Sequence, residues 1–87
     1  MAETNEVTHT VTVESEIGGM AVGQGFVWIT LAESDSVLRI DPDTAEVVGQ
    51  AIPVGKVPQG IALGPRVVWV ANQGSNTVTR IDLDAEL

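Results

Sequence analysis

An all-β fold of repeated four-stranded sheets is what this sequence predicts, and three observations predict it. The chain aligns with itself at a shift of 41 positions, the separation of Trp28 and Trp69. At that shift Val13 meets Val54, Gly19 meets Gly60, Ala21 meets Ala62, Gly23 meets Gly64, and Arg39-Ile40-Asp41 meets Arg80-Ile81-Asp82, with no gap. Each copy breaks into short apolar or alternating segments punctuated by Gly, Pro, Asn and Asp, as strands and turns do. No segment carries a helical period, and Val and Thr, which suit pleated surfaces, are frequent. A fixed period of about 40 residues marks a repeat array, and four strands per period mark propeller blades.

The elements follow in order within each copy. The innermost strand is predicted at Gly19–Gly23 and Gly60–Gly64, where small residues suit a crowded centre. Next come Phe26–Leu31 and Val67–Asn72, the most apolar segments. A continuous run such as Phe26-Val27-Trp28-Ile29 fits burial on both faces better than one-sided alternation does. Third are Ser36–Asp41 and Thr77–Asp82, with Val or Ile at every second or third position. Fourth and outermost are Val47–Val54 and, ahead of the first copy, Val7–Val13. Gln24-Gly25 and Gly64-Pro65-Arg66 are tight hairpin turns between the first two strands. Glu33-Ser34-Asp35 and Gly74-Ser75-Asn76 join the next pair. In Asp41-Pro42-Asp43-Thr44 the leading Asp accepts from nearby backbone N–H groups, as β-turns favour.

This gives one two-blade unit over residues 1–87, with an outer strand at 7–13, a blade at 17–54 and an incomplete blade at 58–84. The second copy lacks its own fourth strand, and the first segment lacks a local partner. An unpaired edge is an association site. Val7–Val13 of one chain is therefore expected to complete the last blade of a neighbouring chain. A two-blade unit also exposes both flat faces. At ~25 cal/mol per Å2, ~500 Å2 of apolar surface per face amounts to roughly 12 kcal/mol gross, on the scale of a domain's net stability of ~5–15 kcal/mol. The expected fold is a β-propeller of two four-stranded blades per chain, completed by head-to-tail homo-oligomerisation. A trimer with six blades is favoured, and a tetramer with eight is the alternative.

The runs Val67-Val68-Trp69-Val70-Ala71-Asn72 and Gly74-Ser75-Asn76-Thr77-Val78-Thr79-Arg80-Ile81-Asp82 resemble the YVTN-type β-propeller repeat. Val54-Gly55-Lys56-Val57-Pro58-Gln59-Gly60-Ile61-Ala62 is similar to that family's link between blades. The first copy departs more, with Glu14, Ile17 and Thr30-Leu31 where the second has Gly55, Pro58 and Ala71-Asn72. The resemblance spans about residues 7 to 84. Its relatives include virginiamycin B lyase-like enzymes, surface-layer proteins and sensor domains of bacterial kinases. They usually carry about seven blades in one chain, whereas this chain carries two.

Composition narrows the function. The formal charge is −8, from 12 acidic and 4 basic residues. Backbone contacts to nucleic acid need Lys and Arg, so nucleic acid is not an expected partner. Anionic membrane surfaces are excluded on the same ground. Met1 to Glu6 has neither a basic nor an apolar stretch, so no signal peptide is read, and no apolar run reaches membrane-spanning length. Localisation is not indicated. There is no cysteine, hence no disulfide or thiolate metal site.

Residues that could carry chemistry each have a plainer reading. His9, the only histidine, lies on the outer strand, away from any central site. Asp41 to Glu46 offers alternate oxygen ligands, but a calcium loop needs more, and a solvated turn is the better reading. Arg39 and Arg80 are read as structural partners of acidic neighbours. Trp28 and Trp69 could stack on sugars, as in two-blade fucose-binding lectins that trimerise. Their mid-strand positions favour packing between blades, where truncation costs about 3–5 kcal/mol. No catalytic residue, metal site or cofactor is read. The loops leading into the innermost strands place Glu14, Glu16, Glu33, Asp35, Lys56, Gln59, Gln73 and Asn76 on one face around the channel. That set would hold a cation, a small molecule or a glycan if the ring binds a ligand. The expected function is a self-assembling scaffold without enzymatic activity, of the kind an engineered or excised propeller fragment would be, with a lectin-like or sensor ring as the alternative.

Overall fold

The computed structural model of the chain describes residues 5–13 and 15–83. Seven strands follow one another: β1 (Ile17–Gly23), β2 (Phe26–Leu31), β3 (Ser36–Ile40), β4 (Ile52–Pro53), β5 (Pro58–Gly64), β6 (Val67–Asn72) and β7 (Thr77–Asp82). They form two antiparallel sheets, one ordered β1-β2-β3-β4 and one ordered β5-β6-β7. No helix occurs among the described residues. The chain is therefore all-β, as its segment pattern requires.

Turn chemistry sets both meanders. Gly23 pairs with Phe26, leaving Gln24 (φ 53°) and Gly25 (φ 79°) as a two-residue loop. Positive φ at both positions is the type I′ geometry that matches strand twist. In the second sheet Gly64 pairs with Val67, and Pro65 is followed by Arg66 at φ 59°. Proline first and positive φ second is the type II arrangement. The loops after β2 and β6 repeat each other. Ser34 N donates to Leu31 O at 3.2 Å and Ser75 N donates to Asn72 O at 3.3 Å. Asp35 (φ 52°) and Asn76 (φ 55°) then take the left-handed conformation, which Asp and Asn tolerate best among residues with a Cβ. Asp41 behaves as its turn sequence requires, its Oδ1 accepting from Asp43 N at 2.8 Å and Thr44 N at 3.3 Å.

The strands depart from expectation at their ends. β1 and β5 begin two residues early, at Ile17 and Pro58, and β3 stops at Ile40. The outermost strand, expected over Val47–Val54, is reduced to Ile52–Pro53 and one bridge from Val47 to Ile40. Positive φ at Gly49 (69°) breaks the extended run. Residues 7–13 form no strand, and Val7 is 85% exposed. Among the described residues no strand pairs with that segment, and β7 is an edge strand of the second sheet.

The core lies between the sheets. Trp28 and Val37 of the first sheet and Val68 and Val70 of the second are fully buried. Phe26, Ile52, Val54, Ile61, Leu63, Ile81 and Leu83 pack around them. Phe26 meets Trp28 edge-on, with centroids 5.9 Å apart, a favoured aromatic arrangement. Trp28 Nε1 donates to Gly23 O at 3.1 Å, so the buried indole leaves no polar atom unmatched.

The sheets approach most closely along β1 and β5. A Cβ at Gly19 would collide with the Gln59 carbonyl oxygen, and one at Gly23 would lie 2.5 Å from Leu63 Cδ1. Thr30 pins the same seam. Gly19 N donates to Thr30 Oγ1 at 2.7 Å, and Thr30 Oγ1 donates to Gln59 O at 3.3 Å. Buried Asn72 organises the second sheet by donating to Thr77 Oγ1 at 3.2 Å and Thr79 Oγ1 at 2.8 Å.

Candidate functional site

One end of the sheet pair gathers the start of β1, the β2–β3 loop, the β4–β5 link and the β6–β7 loop. The residues expected on a ligand face occupy these segments. Glu14 lies outside the described residues. Asp35, Lys56, Gln73 and the segment beginning at Gln59 are brought together by direct bonds, whereas Glu33 projects into solvent.

The arrangement is a clasp. The link Val54–Pro58 crosses from one sheet to the next, and both neighbouring loops grip it. Val54 N donates to Asp35 O at 3.0 Å, Gln73 N to Val57 O at 3.0 Å, and Gly74 N to Lys56 O at 2.9 Å. Lys56 N donates to Ser75 Oγ at 3.3 Å. Asp35 Oδ1 accepts from Val57 N at 2.9 Å. Val57 needs that grip, because it sits at φ 49°, a strained conformation for a β-branched residue. Lys56 Nζ stands 3.8 Å from Asp35 Oδ2, an exposed ion pair of the kind worth about 0–1 kcal/mol.

The remaining members serve the backbone. Glu16 O accepts from Ala32 N at 2.8 Å, tying the entry of β1 to the end of β2. Gln59 contributes its carbonyl to Thr30. Asn76 supplies the left-handed turn position, and Gln73 is exposed. Among the described residues no three His, Asp or Glu side chains converge as metal ligands. His9 is exposed, with Nδ1 3.1 Å from the neighbouring Thr8 Oγ1.

At the opposite end an open cleft of about 260 Å3 lies between the sheets, lined by Gln24, Phe26, Arg39, Ile52, Ile81, Asp82 and Leu83. Among the described residues Arg39 makes no ion pair, although Asp82 lines the same cleft. Its guanidinium lies over the rings of Phe26, at 5.2 Å, and Trp28, at 5.9 Å. Its equivalent Arg80 does pair with an acid, Nε donating to Asp82 Oδ1 at 2.7 Å. The sequence carries one sign of that difference: aromatic Phe26 occupies the place that Val67 takes in the second copy.

Large apolar side chains are also left exposed on both sheets. Directly opposed residues of neighbouring strands share a face, so the register assigns each sheet two faces. In the first sheet Trp28, Val37 and Arg39 share the face turned to the second sheet. Their repeat equivalents Trp69, Val78 and Arg80 share the far face of the second sheet. Trp28 and Val37 are 0% exposed, whereas Trp69 is 43% and Val78 65% exposed. The expectation that both tryptophans are packed is met in the single chain by Trp28 alone. No third sheet covers Trp69 among the described residues. The first sheet's far face likewise exposes Met20 at 65% and Val22 at 71%. Their equivalents Ile61 and Leu63 pack into the core.

No protein-family model matches this chain, and neither curated proteins nor solved structures give a significant match.

Proposed function

We propose that this chain is a self-assembling β-propeller unit of the YVTN repeat type, a scaffold with no catalysis of its own. The carrying observation is the contrast between equivalent residues: Trp28 and Val37 are buried inside the chain while Trp69 and Val78 are exposed, and Ile61 and Leu63 pack into the core while Met20 and Val22 are exposed. The contact between the two sheets is head-to-tail, and head-to-tail contacts either close into rings or run on as filaments. The four-strand meander with a 41-residue period supports closure into a propeller. Three copies, giving six blades, is the favoured assembly, and four copies, giving eight, the other. At the loop end the bonds of the clasp are mostly backbone bonds, with Asp35 and Lys56 the one pair of side chains of that set to meet among the described residues, so no convergent side-chain set supports a ligand-binding reading to the same degree.

Sedimentation velocity and native mass spectrometry of the full chain test this. A discrete trimer, or failing that a tetramer, is the expected result. A folded monomer at micromolar concentration would contradict it. Each copy brings a charge of −8, so added salt should favour the assembled state by screening repulsion. Deleting residues 1–13 should abolish the ring, because β7 then loses its expected partner strand.

A further inference from the structure

Granting that copies associate, we infer which surfaces meet and in what register. The Trp69 face of one copy docks on the Met20–Val22 face of the next, and residues 11–12 of that next copy pair with β7 of the first. The inference rests on the proposed assembly but is separable from it, because copies could also associate through like faces.

The contact already inside the chain is the template. Across it, Ile61 approaches Gly19 and Leu63 sits over Gly23, with a Gly23 Cβ only 2.5 Å from Leu63 Cδ1. Shifting every residue by one repeat replaces Gly19 and Gly23 with Gly60 and Gly64, and Ile61 and Leu63 with Met20 and Val22. All four members of the shifted contact are in place. Space for them is present too. Near Gly60 the closest atom is Ala71 Cβ, at 3.5 Å, and near Gly64 only Val67 and Trp69 of the same sheet approach. Met20 and Val22 are among the most exposed large apolar side chains described. Each sheet thus presents a flat, glycine-seated face and a face of projecting side chains; the second sheet's glycine-seated face is open at Trp69 and Val78, and the first sheet's projecting face is open at Met20 and Val22, while Ile29 and Leu31 of that same face are buried.

The strand register follows from the first sheet, where Val37 pairs with Ile52 and Ser36 with Pro53. One repeat on, Val78 faces Val11 and Thr77 faces Thr12, the latter two supplied by the next copy. The same neighbour provides both contacts, since the segment before β1 belongs to the chain whose Met20 and Val22 are docked. Strand addition to an exposed edge is a general mode of protein association.

Two variants separate this arrangement from its rivals. Trp69→Glu/Val78→Glu disables the glycine-seated face, and Met20→Glu/Val22→Glu disables the projecting face. All four positions are exposed in the single chain, so neither variant disturbs its core. Each alone should be monomeric by sedimentation velocity, and an equimolar mixture should give a 1:1 complex that grows no further. A wild type that stays monomeric defeats the assembly itself. A wild type that assembles while either variant still forms the ring overturns the choice of faces. A homodimer of either variant shows like-with-like contact and overturns the head-to-tail order, and so does a mixture of folded variants that fails to associate. Should the separate variants unfold, the mixture is expected to regain the β-sheet circular dichroism of the wild type, and failure to do so counts against the contact. The register has its own readout, because the described chain has no cysteine of its own. Val11→Cys and Val78→Cys chains, mixed and oxidised, should form a disulfide-linked dimer, while Val11→Cys with Arg80→Cys should not. The reverse pattern overturns the register.

Discussion

The two sheets share one repeat pattern, with Trp, Val, Arg and Gly at matched places, and end in different circumstances. Trp28 is sealed between sheets, with its indole N–H matched and Phe26 against its edge. Trp69, on the equivalent strand and paired with the equivalent arginine strand, faces outward. What separates them is the presence of a further sheet, not the local strand. Burial in a stacked repeat depends on having a neighbour, so identical residues carry different energies at different places in the stack.

The sharpest way to test that contrast is to truncate both tryptophans. Trp28→Ala should cost about 3–5 kcal/mol and lower the melting temperature at every protein concentration. Trp69→Ala should lower it only at concentrations where copies associate, since binding stabilises by mass action. Equal losses in dilute solution would erase the distinction between the sheets. Val37 and Val78 offer a milder version. Val37→Ala should cost about 1.5–3 kcal/mol, and Val78→Ala, in a dilute chain, should stay within about 0.5 kcal/mol. Urea unfolding at low concentration measures both.

The loop pair Asp35 and Asn76 tests the clasp. Asp35→Ala removes the acceptor for Val57 N–H and should cost about 1–2 kcal/mol. Asn76→Ala meets only the backbone preference and should cost no more than about 1 kcal/mol. If the two are equal by chemical denaturation, the carboxylate does not hold the link. The smallest contrast is Arg39 against Arg80. Arg39→Ala forfeits contact with two rings and should cost about 1–2 kcal/mol. Arg80→Ala loses an exposed ion pair with Asp82 and contact with one exposed ring, Trp69 at 5.6 Å, and should cost under about 1 kcal/mol.

The repeat period and the turn residues made most of the strands legible in advance. Phe26–Leu31, Val67–Asn72 and Thr77–Asp82 stand where periodicity puts them, because continuous apolar runs between turn residues leave little choice of boundary. The outermost strand was legible in type but not in extent. Its apolar residues read as a full strand, yet the left-handed Gly49 leaves only Ile52–Pro53 and the Val47 bridge paired. The loop-end polar cluster was legible as a location and not as chemistry. Nothing in the residue types shows that Asp35 spends its carboxylate on a strained Val57 one link away, because that bond exists only once the two sheets are placed. Arg39 was misjudged for a related reason: its partner is two rings brought over it by folding, while an acid stands nearby in sequence.

The Thr30 hydroxyl has a use beyond stability. It accepts from the Gly19 N–H within the first sheet and donates to the Gln59 carbonyl across the seam, so the hydroxyl that holds this amide is oriented by the contact between the sheets. At the equivalent place in the second sheet the hydroxyl is missing, because Ala71 stands there. The Gly19 amide is therefore a natural reporter of the seam, and its solvent exchange by NMR should slow and quicken with the opening of the sheets. The Gly60 amide, lacking such a latch, is its internal control. The ratio of the two rates reads how often this chain parts along its middle, without any label being added.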